Sequence, residues 1–366
     1  MRFKQVLASG MFFIGFLSLG QDTYSYSKPI HLSDGWQTND LLSGQIDSTK
    51  MYAMFNQLRV KPHKVHSVIL VRNNAIEMEE YFGGYDLKKQ HDLRSATKSI
   101  ISILIGIALD KEFIESVDDP FLKYIKTYGP KKNKDERKQH ITVRQLLTMS
   151  TGLDCNDWDK KSAGQEDKVY RKKDWVQYTL DLPQIYDPGE SAMYCSMGTV
   201  LAAEVVQQAS GMPLYAFAEK YLFNALGITN VAWHHTTEGD IIPSAKRLYM
   251  TPRDMAKIGE LMLNKGKWKS EQIVSETWVA QSTSFQTKLA NIDYGMLWWK
   301  IPFVVNAKKF TATVATGNGG QYMMIFPDFN AVAIFTGGAY NSQEDKLPFR
   351  IVNDVFLPML IKLNEN

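Results

Sequence analysis

The chain has 366 residues, enough for one large domain or two intimate ones, with 42 basic residues against 39 acidic and a formal net charge of +3. That balance argues against a nucleic-acid partner held by phosphate neutralisation. The densest basic run, Lys131-Lys132-Asn133-Lys134-Asp135-Glu136-Arg137-Lys138, is interrupted by acids and reads as a solvated loop.

The first residues read as a secretory signal. Arg2 and Lys4 supply a positive start, residues 6–19 form a short apolar core, and Ser18-Leu19-Gly20 offers small residues for cleavage. Gly10, Gly15 and Ser18 interrupt the core, which is too short for a membrane span, and no cysteine follows for a lipid anchor. No later segment approaches transmembrane length. The expectation is a signal peptide at 1–20 and a soluble chain, secreted or periplasmic, with no integral membrane segment once the signal is removed. In such a compartment Cys155 and Cys195 can be a disulfide, although two buried thiols satisfy the spacing equally well.

Beyond a polar leader that reads as disordered, Met51, Met54, Phe55 and Leu58 give residues 48–60 a helical period. A hairpin follows, with strands at 68–71 and 76–82 about the turn Arg72-Asn73-Asn74, ended by Gly83-Gly84. An apolar helix then runs to about Asp110, and Val117-Asp118-Asp119-Pro120 stops regular structure. From 121 to 223 the signals are mostly helical: 143–149 capped by Thr142, 198–210 ended by Gly211, and 214–226 closed by Gly227. Strands return at 294–303, 310–314, 322–326 and 331–336, the last two parted by the turn Pro327-Asp328-Phe329-Asn330. An apolar helix at 352–363, broken at Pro358, closes the chain. Strands at both ends imply one unit over 21–366, with an α/β part at about 35–120 and 228–366 and a helical part at about 121–227.

The chemistry concentrates in three places. Ser95-Ala96-Thr97-Lys98 opens the long apolar helix, where i and i+3 side chains are neighbours. A serine needs a nearby base, and burial of Lys98 among Ile100, Ile101, Ile103 and Leu104 would lower its pKa enough to supply one. Backbone N–H groups at the helix start could serve a developing oxyanion. Tyr194-Cys195-Ser196 heads a second helix, and its phenol could relay a proton if an ammonium favoured the ionised form. Ala315-Thr316-Gly317-Asn318-Gly319-Gly320 precedes a strand, where glycines let backbone approach a ligand. Each pattern alone is weak: Ser25-Tyr26-Ser27-Lys28 repeats the first and Tyr340-Asn341-Ser342 the second. No G-x-S-x-G occurs, and the seven histidines, His234-His235 included, show neither a hydrolase nor a metal pattern. No metal or cofactor is expected.

In this order the three elements resemble the serine β-lactamase and penicillin-recognising superfamily, particularly its class C-like branch of esterases, D-aminopeptidases and nylon-oligomer hydrolases. The resemblance runs from about Ser67 to Thr336 and includes Leu146-Leu147-Thr148-Met149-Ser150-Thr151-Gly152-Leu153 and Pro188-Gly189. It implies a β-lactamase/transpeptidase-like fold, an antiparallel sheet flanked by helices with a mostly helical insertion. It implies Ser95 as acylated nucleophile, Lys98 and Tyr194 in acid/base roles, and Ser196 where the family has Asn or Ser. The oxyanion would lie between the backbone N–H of Ser95 and the 317–319 edge, at Asn318, with Thr316, Gly317 and Gly319 beside it. In this fold the loop after Gly152-Leu153 borders the cleft near Tyr194, which favours the Cys155–Cys195 disulfide and makes Asp154, Asn156 and Trp158 candidates for lining the pocket. One departure matters: Ala315 stands where β-lactamases and D-Ala-D-Ala peptidases have Lys or His, the cation that helps to bind a substrate carboxylate. The reading is therefore a hydrolase of small-molecule or peptide-like esters or amides. A β-lactamase or D-Ala-D-Ala carboxypeptidase, and a non-catalytic β-lactam sensor or binding protein, are the alternatives.

Overall fold

A computed structural model describes residues 23–44, 46–233 and 247–365; the leader 1–20 and His234-His235 lie outside them. Nine strands form the main sheet: β1 (Gln37–Thr38), β2 (Val65–Arg72), β3 (Ala75–Tyr81), β4 (Thr287–Leu289), β5 (Ile292–Tyr294), β6 (Trp299–Val305), β7 (Lys308–Gly317), β8 (Gln321–Phe326) and β9 (Ala331–Gly337). Their order is β1-β3-β2-β9-β8-β7-β6-β5-β4, antiparallel except for the β1–β3 pair. The pairing of β2 with β9, Ile69 opposite Ile334, joins the two ends of the chain. Asn73 and Asn74, at φ 50° and 63°, make the tight β2–β3 turn, since asparagine tolerates the left-handed conformation it requires.

Side chains alternate across the sheet and bury both faces. Ile69, Val71, Ala315, Met323 and Ile334 pack beneath α2 (Thr97–Asp110), α4 (Ser196–Ser210) and α5 (Pro252–Leu263). Val68, Leu70, Val314, Met324 and Phe335 meet α1 (Thr49–Val60) and the C-terminal helix on the other side. Helix α2 is buried over almost all its length, which is why its sequence is apolar all round. The stretch from 121 to 223 adds helices and no strand to this sheet. Among its helices is α3 (Val143–Leu147), held by a capping box between Thr142 and Gln145.

Four expectations need correction. The polar leader beyond 22 is packed: Tyr24 is buried with its hydroxyl donating to Glu80 at 2.7 Å, and Tyr26 donates to the Glu77 carbonyl. The single aromatic strand at 294–303 is two strands, because Gly295–Trp298 turns inward and Leu297 adopts φ 66°. The final third is not strands alone: α5 lies across the sheet, announced by the Thr251-Pro252-Arg253-Asp254 cap. Last, the terminal helix passes through Pro358. A wide π turn at Val352–Phe356 precedes it and relieves the clash of the ring with the carbonyl four residues before. No described helix is long and apolar enough to cross a membrane.

Candidate active site

The Ser95 turn is set by local backbone. Asp92 accepts the Arg94 N–H at 3.0 Å, Arg94 takes φ 50°, and a single 3₁₀ turn over Arg94–Ala96 leads into α2. Lys98, one turn on and 2% exposed, donates from Nζ to Ser95 Oγ at 2.9 Å. Its ammonium lies 4.9 Å from the centre of the Tyr194 ring. The sequence led us to expect a depressed lysine pKa. Burial does push it down, but Tyr194, Asp157 and Glu166 act against burial and the net direction is upward, so Lys98 is an ammonium.

The second element is built by the loop that follows α3. A disulfide joins Cys155 to Cys195 across 40 residues and so ties this loop to the start of α4. Tyr194, 9% exposed, accepts the Asp157 N–H through its carbonyl at 2.8 Å. Its ring stacks on Trp158, with centroids 5.1 Å apart and an interplanar angle of 3°, and lies 5.9 Å from Trp299. Ser196 is fully buried, and its hydroxyl contacts Asp157 Oδ2 at 2.7 Å and Glu166 Oε2 at 3.0 Å. Burial pushes the Asp157 carboxyl up, Lys98 draws it back, and Glu166 adds to the rise.

The third element is the end of β7. A Cβ on Gly317 would sit 2.1 Å from the Leu93 carbonyl oxygen, so only glycine lets this strand close on the Ser95 turn. That contact places Thr316 and Asn318 at the cleft while Ala315 stays in the core. Asn318 and Asn341 clasp each other through their side chains, with Nδ2 donating to Oδ1 at 2.7 Å and the Asn341 N–H returning at 2.9 Å.

These elements surround one cavity of about 730 Å3, walled by Ser95, Tyr194, Thr316, Gly317, Asn318 and Trp158. Lys98 lies beneath Ser95. Four candidates fall elsewhere. Ser196 is engaged by the two carboxylates, Asn156 caps the turn of Trp158, and Gly319 bridges to Ala339. Asp154 holds the Ala163 N–H instead of facing the cleft. The sequence reading missed Asp157, Glu166, Trp299 and Lys346, which also line the cavity. Asp157 was the most accessible of them, adjacent to Trp158 on the disulfide loop. Lys346 was hidden, since its ammonium reaches Tyr322 at 3.2 Å from beyond the last strand. No group of three or more potential metal ligands occurs among the described residues.

The Beta-lactamase family model matches residues 64–353. The chain belongs to the β-lactamase family. It is 22% identical over 244 residues to the 6-aminohexanoate-dimer hydrolase of Paenarthrobacter ureafaciens, a match spanning 62% of this chain and 59% of that one. It is 27% identical over 139 residues to the lovastatin esterase of Penicillium rubens, across 36% of this chain and 33% of the other. Among solved structures, EstCE1, a hydrolase with promiscuous acyltransferase activity, superposes with a TM-score of 0.71 at 13% identity, over 86% of this chain and all of that one. This family member is a serine hydrolase by superfamily, related to esterases and amidases, and its fold is β-lactamase/transpeptidase-like.

Proposed function

We propose that this chain is an exported serine hydrolase that cleaves an ester or non-lactam amide through an acyl-enzyme on Ser95. The observation that carries the reading is the Lys98 Nζ to Ser95 Oγ contact of 2.9 Å in the wall shared with Tyr194 and the Thr316–Asn318 edge. Lys98 Nζ holds Ser95 Oγ and faces the Tyr194 ring at 4.9 Å, and Tyr194 serves as the base. Tyr194 takes the Ser95 proton as Oγ attacks the carbonyl carbon. The backbone N–H groups of Ser95 and Asn318 receive the oxyanion, and Tyr194 returns the proton to the leaving group. A water molecule deprotonated by Tyr194 then releases the acid and restores Ser95. Rings of Trp158, Trp299, Tyr322 and Phe349 favour an apolar acyl or alcohol group beside the reacting carbonyl. The disulfide supports an oxidising compartment, in keeping with the leader.

The test is intact-mass analysis after a fluorophosphonate and a nitrophenyl ester. Labelling at Ser95, and loss of both labelling and turnover in Ser95→Ala, is expected; an unchanged rate in that variant ends the mechanism. A second reading, a carboxylate-bearing β-lactam or D-alanyl substrate, rests on Lys346, a cation in the cavity wall that Ala315 does not supply. A penicillin in the same assay decides it: turnover marks a lactamase, a lasting adduct a sensor, and neither leaves the ester or amide substrate.

A further inference from the structure

Tyr340-Asn341-Ser342, the second match to the Tyr-x-Ser pattern, lies in the loop after β9. Two consecutive residues of it contact the two segments that carry the oxyanion donors. On one side the Arg94 guanidinium sits 4.8 Å from the centre of the Tyr340 ring. Arg94 is the residue whose φ of 50° turns the backbone into Ser95. On the other side Asn318 Nδ2 donates to Asn341 Oδ1 at 2.7 Å, and the Asn341 N–H donates to Asn318 Oδ1 at 2.9 Å. Both ends of the Asn318 amide are engaged, which fixes its orientation. Asn341 makes this clasp at φ 56°, a conformation asparagine tolerates. Gly319 completes the seat. Its carbonyl accepts the Ala339 N–H at 3.0 Å, and a Cβ there would lie 2.6 Å from the Tyr340 ring, so the ring fills the space of a side chain. Buried Gln321 anchors the start of the loop, donating to the Gly337 carbonyl at 2.6 Å and accepting its N–H at 3.2 Å.

We propose that Tyr340 and Asn341 are positioning residues that set the oxyanion hole. Tyr340 fixes the turn carrying the Ser95 N–H through Arg94, and Asn341 fixes the strand end carrying the Asn318 N–H. This rests on the reading of Ser95 as the acylated serine and of those two N–H groups as the donors. The donors belong to separate elements, the turn before α2 and the end of β7. Gly317 against Leu93 is one contact between these elements, and the 340–341 peptide is a second bridge across them. Oxyanion donors work because they are in place before charge develops, and a misplacement of about 1 Å costs on the order of a hundredfold in rate. Asn318 and Asn341 are exposed, so water takes over their hydrogen bonds when the clasp is lost and global stability changes little. The clasp therefore governs geometry more than folding.

The experiment is a double-mutant cycle on the full chain: Asn318→Ala, Asn341→Gly and the pair. Asn318→Ala keeps its backbone N–H, and Asn341→Gly keeps access to the left-handed backbone, so each removes one side of the clasp. Burst kinetics with nitrophenyl acetate separate the acylation rate from the dissociation constant of the ester. Each single variant is expected to slow acylation by about tenfold, with the dissociation constant and Tm nearly unchanged, and the pair to lose no more than either single variant. Tyr340→Ala is expected to slow acylation similarly, and Tyr340→Phe, which keeps the ring over Arg94, to recover most of that loss. Additive losses in the pair would show that the two asparagines contact the ester separately. That result, unchanged acylation in the single variants, or losses that appear only with a fall in Tm overturn the proposal. A wild-type chain that takes up no fluorophosphonate at Ser95 would instead overturn the hydrolase reading itself.

Discussion

The indole of Trp158 lies parallel to the ring of Tyr194, 5.1 Å away, while each residue sits beside one half of the Cys155–Cys195 disulfide. One covalent link thus holds both the proposed proton carrier and the aromatic wall next to it. Trp158 is 56% exposed, so its contact with solvent is large even though one face is stacked.

Trp158→Ala is expected to raise KM for esters of apolar acids by about three- to tenfold, with a smaller change for acetyl esters, since one exposed ring face supplies roughly 1 kcal/mol. Stability should shift little. Steady-state kinetics on a nitrophenyl ester series checks this; equal KM changes for short and long acyl groups would assign Trp158 no part in binding.

Cleaving the disulfide should cost both stability and rate. Closing a loop of 40 residues is worth roughly 4 kcal/mol in the chain-entropy account, commonly less when measured. Cys155→Ala with Cys195→Ala, or reductant on the native chain, is expected to lower Tm by several degrees and slow acylation at Ser95. A Tm unaffected by reductant would show that packing alone holds the loop.

Gly317→Ala should be among the most damaging small substitutions. The added methyl would collide with the Leu93 carbonyl, which is backbone and cannot rotate aside. Pushing β7 away from the Ser95 turn is expected to cut kcat/KM by at least about a hundredfold, the order of losing an oxyanion donor. Circular dichroism and a titrating fluorophosphonate distinguish displaced geometry from loss of fold.

Glu260, 1% exposed on α5, is pushed up to about 7 by burial, with Asn264 pulling the other way. A carboxyl with a folded pKa above its unfolded value opposes folding when ionised. That cost is absent below the unfolded pKa, grows as pH rises between the two values, and is complete above about 7. Glu260→Gln is therefore expected to stabilise the chain at pH 8, by at most about 3 kcal/mol, and to have no effect near pH 4. Urea titrations at the two pH values measure it; equal shifts at both would contradict the ionisation account.

The sequence carried the architecture well where the signal was local. The asparagine turn after Arg72, the Thr142 cap and the apolar run of α2 each depend on neighbours in the chain, and each lies where its residues imply. It failed where distant groups decide. Lys98 among isoleucines reads as a lysine of lowered pKa, until folding brings in Asp157 and Glu166 from a loop about sixty residues on and reverses the direction. Ser196 follows Tyr194 by two residues, and helix geometry alone could not show that its hydroxyl is taken up by the same carboxylates. Lys346 enters the cleft through a fold-back after the last strand, which no local periodicity records.

Ser67 and Thr336, 269 positions apart, touch through their hydroxyls at 2.6 Å in the middle of the sheet. During synthesis the β2–β3 hairpin therefore waits, with one edge unpaired, until the ribosome has passed Gly337 and β9 has emerged. Until then nearly the whole nascent chain lacks its central strand pair.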